Sequence, residues 1–292
     1  MLADHGLPGQ WPPPSAARVQ VAAAVRRGDQ TPWRFFRGDL IVFLGEPSTT
    51  AYDLRFRIGS IPVRIHPLFW LVTALMSSGN VDPLRMITWI GVCFVSILIH
   101  ELGHALLMKR YGQQPRIVLY GMGGLAISDG GGWARTKLVG YNHRRRWLEP
   151  VLIAAAGPGA GFALAALVVA VVYLSGGSVF WVAPSLNNPL VVAAVAISPQ
   201  FSLMASQMLW VNIGWGIMNL LPVSPLDGGH IARSVLVEHD SYRGPERAQW
   251  LSVIVAVLVA VVAFQAWKQM YVAFLFGYLA AMNFMAMRQR PW

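Results

Sequence analysis

Residues 86–107 read MITWIGVCFVSILIHELGHALL, an apolar run that contains three ionisable side chains near its end. A transmembrane helix needs about 20 predominantly apolar residues, and this run meets that length. His100, Glu101 and His104 are costly to place inside a membrane, and such residues are seldom retained there without a function. The stretch therefore predicts a membrane-spanning helix that carries a polar site.

The composition of the 292-residue chain agrees with a membrane protein, since 55% of its residues are hydrophobic and only 12% are charged. Soluble proteins have roughly 25% charged residues, so the composition excludes a water-soluble enzyme. Lys and Arg number 23 against 13 Asp and Glu, which gives a net charge of +10. We interpret this excess as a signal of membrane orientation and predict no binding of nucleic acid. The single cysteine, Cys93, excludes an internal disulfide and a thiolate zinc cluster.

The hydrophobic segments predict an all-α polytopic membrane protein with about six transmembrane helices. The predicted spans are residues 63–78, 86–107, 150–174, 201–221, 250–267 and 270–287. Basic joints alternate with nearly neutral ones, which predicts that both termini are cytoplasmic, and we expect a multi-pass protein of the cell (inner) membrane. We expect residues 1–60 to form a basic, partly disordered cytosolic tail and residues 61–292 to form the membrane-embedded domain. Residues 179–196 contain prolines and asparagines, which predict a loop or a half-embedded segment.

The spacing of the two histidines is suited to metal binding. His100 and His104 are four residues apart and so share one helical face, where two imidazoles can hold one metal ion. Glu101 lies next to that face and is placed to take a proton from water at the metal. In the alternative, the histidines hydrogen-bond to neighbouring helices and Glu101 pairs with an arginine. We favour the metal site, because packing alone does not explain three such groups in lipid.

A third ligand is expected, since catalytic zinc usually has three protein ligands and an open position. Asp227 is the candidate, in the stretch NLLPVSPLDGGH, where two prolines end a helix and two glycines permit a tight turn. Two neutral imidazoles and one carboxylate leave a zinc ion with one positive charge, which a hydroxide cancels, as a low-dielectric site requires. The alternative for Asp227 is an ordinary turn residue. Asn219 is either an interhelical hydrogen-bonding residue or a donor to the substrate carbonyl, and His230 is either structural or a fourth ligand.

These motifs resemble those of the site-2 protease family of intramembrane zinc metalloproteases. Three elements carry the resemblance: HELGH at 100–104, NLLPVSPLDGG at 219–229 and AGP at 156–158. The stretch PVRIHP at 62–67 is similar to the family's entry to its first helix. The family often has asparagine three residues after its Gly-Pro, where this chain has Gly161. The joints between the spans are too short for an inserted PDZ domain, so the chain resembles a compact member.

The resemblance implies hydrolysis of a peptide bond in or near a transmembrane segment of a membrane-protein substrate. It implies one zinc ion, bound by His100, His104 and Asp227. It also implies that Glu101 is the general base and that Asn219 assists the substrate or the oxyanion. The implied partners are the transmembrane substrate and the lipid bilayer, and the oligomeric state stays open.

The resemblance further implies a small membrane-dipping β-hairpin at residues 117–127, which would offer an edge to extended substrate. The β-branched residues and glycines there agree with a hairpin, and a plain loop fits them nearly as well.

Two other functions stay open: a catalytically inactive family member that binds transmembrane helices, and a metal-ion transporter. An inactive member usually lacks the Glu or a His, and both are retained here. A transporter would require a path of polar side chains that continues across the membrane, whereas residues 86–96 contain few polar residues beyond Thr88 and Ser96.

Overall fold

The computed structural model describes residues 47–77, 82–121, 123–128, 147–182, 191–195, 198–266 and 268–288. Most of the predicted cytosolic tail, residues 1–46, lies outside the described residues. The arginine run at 144–146, which contributes to the predicted orientation, also lies outside them. Residues from Ser48 onward form one structural unit.

The described part of the chain contains six strands, eight α-helices and one π-helical turn. In chain order these are β1 (Leu54–Ile58), β2 (Ile61–Ile65), α1 (Pro67–Met76), α2 (Pro83–Arg110), β3 (Pro115–Tyr120), β4 (Gly123–Ser128), α3 (Leu148–Leu174), β5 (Ser178–Val182), β6 (Val191–Val195), α4 (Pro199–Trp210), the π-helical turn (Val211–Trp215), α5 (Gly216–Asn219), α6 (Asp227–His239), α7 (Gly244–Gln265) and α8 (Met270–Arg288). Helix α4, the π-helical turn and α5 follow one another without a gap. They form one helical rod with an irregular middle, which corresponds to the predicted span at residues 201–221.

Helix α2 contains the HELGH motif, and local signals define both of its ends. The Asp82 carboxylate accepts a hydrogen bond from the N–H of Leu84 at 3.0 Å, and Pro83 occupies the first helical position. Lys109 and Arg110 in the last turn complement the negative end of the helix dipole. The helix has 28 residues and extends about 42 Å, which is enough to cross a bilayer.

Four described helices, α2, α3, α7 and α8, are long and apolar enough to cross a membrane. The mainly helical, multi-pass fold class is therefore confirmed, and α1 is a shorter apolar helix beside these four. The predicted first span at residues 63–78 is wrong at its start, because residues 63–65 belong to β2 and α1 has only 10 residues. His66 explains the difference: its Nδ1 accepts the N–H of Leu68, so this polar residue caps α1 and ends the strand.

A four-stranded sheet in the order β1-β2-β3-β4 packs against α2. Strands β2 and β3 are parallel, with Val63 opposite Ile117, so the chain passes through α1 and α2 to connect them. Strands β3 and β4 pair in antiparallel register, which confirms the predicted hairpin within residues 117–127. The inner face of the sheet joins Phe69 and Ile97 in the main hydrophobic core. This packing fixes the hairpin against the helix that contains the two histidines.

A second, two-stranded sheet occupies the segment that was expected to be a loop. Strands β5 and β6 are antiparallel, with Ser178 opposite Val195. Their sequences, SVFWV and VVAAV, are rich in β-branched residues, which favour strands. This strand preference outweighs the turn preference of the prolines and asparagines that separate them. The loop interpretation of residues 179–196 is therefore wrong for the nine paired positions in that range, whereas the half-embedded alternative stays a prediction, and residues 183–190 and 196 lie outside the described residues.

Candidate metal centre

The two histidines of α2 lie close together on one buried face of the helix. The ring centroids of His100 and His104 are 4.9 Å apart, and their Nε2 atoms are separated by 3.2 Å. Both side chains are almost completely excluded from solvent. Two imidazoles with adjacent Nε2 atoms can act as neighbouring ligands of one ion, as the helical spacing predicted.

Asp227, the first residue of α6, completes a group of three metal-binding side chains. Its Oδ2 lies 3.2 Å from Nε2 of His100, and its Oδ1 lies 3.3 Å from Nε2 of His104. The ligand atoms of the three residues all lie within 4.8 Å of one another. Among the described residues, the buried Oδ2 of Asp227 accepts no hydrogen bond of good geometry. Each oxygen of this carboxylate faces one imidazole nitrogen, and the unsatisfied Oδ2 fits a divalent cation that would bind one atom of each residue.

A backbone carbonyl orients the imidazole of His104. Its Nδ1 lies 2.7 Å from the carbonyl oxygen of Ile153 on α3. A carbonyl only accepts, so Nδ1 donates its proton, and in the neutral ring Nε2 is then the nitrogen that can bind a metal ion. Metal-binding histidines usually have such a partner, which fixes both tautomer and ring orientation.

The side chain of Glu101 points from the same helix towards strand β4. It lies directly against Gly124, and the backbone N–H of Ala126 hydrogen-bonds to its carboxylate. Glu101 is buried and adjacent in sequence to His100. The carboxylate is therefore held against the hairpin, on the residue that follows the first member of the three-residue group.

Close packing of α3 against α2 depends on glycines. A Cβ atom on Gly157 would overlap with Nε2 of His104 and approach Nε2 of His100 to 2.8 Å. A Cβ atom on Gly103 would overlap with the carbonyl oxygen of Ala156. The motif AGP at 156–158 therefore supplies the small residue that leaves room for both imidazoles and for an ion between them.

The loop before Asp227 is held by two residues that sequence reasoning missed. The N–H of Ser224 donates to Oγ of Ser252 on α7 at 3.1 Å, and the carbonyl of Ser224 accepts from Nδ2 of Asn283 on α8 at 2.7 Å. Both partners are buried. Their signal in the sequence is weak, since each is a single polar residue within an apolar span.

Two of the residues considered in the motif at 219–230 are absent from the three-residue group. Asn219 lies at the end of α5 and is half-buried, and no hydrogen bond of its side chain is found among the described residues. His230 is half-buried on the first turns of α6 and is likewise not a member of the group in the part of the chain that the structure describes. The role of Asn219 towards substrate remains a prediction.

A different asparagine, Asn212, lies beside the site. It belongs to the π-helical turn, and its Nδ2 donates to Oγ of Ser96 and to the carbonyl of Met208, both at 2.8 Å. Asn212 and His100 line the same small cavity. Asn212 precedes Asn219 by seven residues, a spacing that places two residues on one face of a regular helix. That spacing was the available signal, and it was missed.

The fold and the site together define a membrane-embedded helical protein with a His-His-Asp group suited to one divalent cation. The profile of peptidase family M50 matches residues 88–263, more than half of the chain. The chain therefore belongs to peptidase family M50, which confirms the resemblance to the site-2 protease family.

Individual relatives agree with this assignment. The chain is 28% identical over 196 residues to zinc metalloprotease MJ0392 of Methanocaldococcus jannaschii, a match that covers 65% of this chain and 48% of the relative. It is 29% identical over 222 residues to Rip3 of Mycobacterium tuberculosis, covering 70% of this chain and 49% of Rip3. The chain thus spans about half the length of these curated relatives. The solved structure of the site-2 protease from Methanocaldococcus jannaschii has a similar fold, with a TM-score of 0.50, 22% identity, and coverage of 82% of this chain and 98% of that one.

Proposed function

We propose that the protein is an intramembrane zinc metalloprotease that hydrolyses a peptide bond in or near a transmembrane segment of a membrane-protein substrate. The observation that carries the proposal is the convergence of His100, His104 and Asp227 next to the buried carboxylate of Glu101. Membership of peptidase family M50 and relatives named zinc metalloproteases support it. The three converging residues are proposed as the ligands of one zinc ion.

The chemistry follows from the side chains around that ion. A bound zinc ion supplies a Lewis acid that polarises the peptide carbonyl and makes water acidic enough to attack near neutral pH. Glu101 takes the proton of the attacking water and returns it to the amine of the leaving group. The Ile153 carbonyl keeps His104 in the tautomer whose Nε2 faces the site. Asn219 is proposed to assist the substrate carbonyl or the oxyanion.

The position of β4 supports binding of substrate in extended form. This strand is at the edge of the four-stranded sheet, and Gly124 lies against the side chain of Glu101. A peptide that adds to the open edge of β4 by backbone hydrogen bonds would pass close to the general base. Helices hide their backbone carbonyls in internal hydrogen bonds, so a transmembrane substrate must unwind locally before it is cut. The hairpin is therefore proposed as the element that stabilises the unwound segment.

The proposed setting is the cell (inner) membrane, with both termini in the cytoplasm. The alternation of basic and nearly neutral joints supports this orientation. Residues 1–60 are proposed as a basic cytosolic tail and residues 61–292 as the protease domain in the bilayer. The proposed partners are a transmembrane protein and the lipid bilayer, and no nucleic acid partner is proposed.

The proposal is tested by comparing two variants with the wild type. Purified wild-type protein in liposomes, Glu101→Gln and His104→Ala are compared for bound zinc by elemental mass spectrometry. In parallel, membranes from cells that express each protein are analysed by peptide mass spectrometry for new fragments that end within transmembrane segments. We expect Glu101→Gln to retain zinc and produce no fragments, and His104→Ala to lose both zinc and cleavage.

Glu238→Gln is the matched control, because it makes the same substitution at an exposed position on α6. Full cleavage by Glu101→Gln would overturn the proposed mechanism. Zinc bound without any cleavage by the wild type would favour the inactive family member. Accumulation of radioactive zinc inside liposomes that contain the wild type would instead favour the transporter.

A further inference from the structure

The two proposed histidine ligands differ in what holds their second ring nitrogen. Nδ1 of His104 is hydrogen-bonded to the Ile153 carbonyl, as described above. For His100, Nε2 faces Asp227 and His104, and no hydrogen bond of Nδ1 is found among the described residues. Metal-binding histidines almost always donate that nitrogen's proton to a carboxylate, a carbonyl or a water. The environment of His100 therefore has to supply an acceptor of another kind.

A small cavity lies beside His100. It has a volume of about 10 Å³ available to the centre of a water molecule, and its lining includes Ser96, Gly161, Asn212 and Trp215 together with His100. Ser96 is one helical turn before His100 on α2, so both side chains lie on the same face. One water molecule needs about 10–15 Å³ on this measure, so the space holds a single water where polar groups are available to bind it.

The amide of Asn212 is held so that its oxygen faces this cavity. Both hydrogens of Nδ2 are used, one by Oγ of Ser96 and one by the carbonyl of Met208, each at 2.8 Å. The remaining group, Oδ1, lies 3.5 Å from the position that a Cβ atom on Gly161 would take. Because Gly161 has no side chain, the oxygen is left open towards the cavity. The π-helical turn at Val211–Trp215 contains Asn212, and such turns frequently occur at functional sites.

We propose that Asn212 is a positioning residue for the metal ligand His100. One water in the cavity accepts the Nδ1 proton of His100 and donates to Oδ1 of Asn212. This link selects the tautomer in which Nε2 of His100 is free to bind metal, as the Ile153 carbonyl does for His104. The inference rests on the proposed metal site, and it assigns to Asn212 a role separate from that of Asn219.

Metal affinity, measured without any proteolysis assay, tests this inference. Full-length wild type, Asn212→Leu, Asn212→Asp and Ser96→Ala are purified in detergent, and their affinity for Zn²⁺ is measured by competition with a fluorescent chelator. We expect Asn212→Leu, which keeps the volume and removes the acceptor, to bind zinc about 10- to 100-fold more weakly. Asn212→Asp keeps an acceptor at the same place and should retain the affinity to within about threefold. The absorption spectrum of bound Co²⁺ should change for Asn212→Leu and remain close to the wild type for Asn212→Asp.

If Asn212 has only a structural role, the zinc affinities of Asn212→Leu and Asn212→Asp should rank in the opposite order. If only its donated hydrogen bonds mattered, Asn212→Asp would bind zinc more weakly than Asn212→Leu, because it loses both donors and buries a charge. Ser96→Ala would then weaken zinc binding as much as Asn212→Leu does, since it breaks the same side-chain bond. Either result, or unchanged zinc affinity in Asn212→Leu, would overturn the inference. Circular dichroism and thermal unfolding identify any variant that fails to fold. If Asn212→Leu fails to fold, the zinc affinity and the cobalt spectrum of Asn212→Asp test the inference.

Failure of the wild type to cleave a substrate would contradict the proposed function and leave these affinities valid.

Discussion

Gly157 on α3 packs directly against the imidazole of His104 on α2, so that a Cβ atom at position 157 would overlap with Nε2. Gly159, two residues further along the same helix, is exposed and has no atom within 4 Å of its own Cβ position. The two glycines therefore provide a matched pair of substitutions. One methyl group enters the proposed metal site, and the other enters open space.

Gly157→Ala should remove zinc binding and cleavage together. The added methyl group must displace the imidazoles of His100 and His104 or separate the helices, and overpacking of this kind costs about 1–3 kcal/mol. We expect zinc affinity to fall by at least about 100-fold, because both ligands move. Gly159→Ala should bind zinc as the wild type does and be slightly more stable, since alanine favours helix over glycine by up to about 1 kcal/mol. Equal zinc affinity in the two variants would show that Gly157 does not limit the site.

Gly124→Ala should separate catalysis from metal binding. A Cβ atom on Gly124 would overlap with the side chain of Glu101 and leaves the three proposed ligands untouched. A general base displaced by about 1 Å loses on the order of 100-fold in rate. We expect the zinc content of Gly124→Ala to equal that of the wild type while cleavage of a fluorogenic transmembrane substrate falls about 100-fold. Gly91→Ala, on the exposed side of α2, is the control, and loss of zinc from Gly124→Ala would contradict the assignment.

Removal of metal should destabilise the protein through Asp227. An ion that binds only the folded state stabilises it by about 2.7 kcal/mol when its free concentration is 100 times the Kd. We therefore expect a chelator to lower the Tm of the wild type, and added zinc to restore it in a concentration-dependent manner. Asp227→Asn should lose this dependence. Asp82→Asn makes the same change at an exposed N-cap, where asparagine caps as well as aspartate, and should keep the zinc dependence.

Ionisation of Asp53 should make the folding stability of the protein depend on pH in the acid range. Burial opposes its ionisation, yet hydrogen bonds from Thr50 and Arg64 outweigh burial and lower the pKa of Asp53 from 3.8 to about 2. A carboxyl whose pKa is lower in the folded state stabilises that state above the unfolded pKa and loses this effect as pH falls. We expect Asp53→Asn to have a lower Tm than the wild type at pH 6, with the difference shrinking between pH 4 and pH 2. A difference that persists unchanged at pH 2 would exclude ionisation of Asp53 as its cause.

The sequence was most informative where local spacing determines geometry. His100 and His104 share a face because a helix repeats every 3.6 residues, and the apolar run around them predicted that helix. Asp227 was recognised because acids are scarce in this chain and this one follows a proline-terminated helix. The hairpin at residues 117–127 was predicted from its composition together with the family resemblance.

What could not be predicted depends on contacts between distant segments. The parallel pairing of β2 with β3 converts residues 63–65 from the expected helix into a strand, and hydrophobicity alone does not distinguish the two. The π-helical turn lies between Trp210 and Gly216, and regular helical spacing does not predict such a turn. Gly124 is required because Glu101 packs on it, which becomes visible only when the hairpin is folded against α2.

The proposed ligands are also widely separated in time during synthesis. Asp227 lies 123 residues after His104, so at about 5–20 residues per second the ribosome adds it about 6–25 seconds after the histidines. During that interval the nascent chain has two imidazoles and lacks the carboxylate. On the proposed mechanism, a chain that lacks α6 has an incomplete set of zinc ligands and should not cleave a substrate. The order of the motifs along the chain thus delays completion of the proposed metal site until most of the protein has been synthesised.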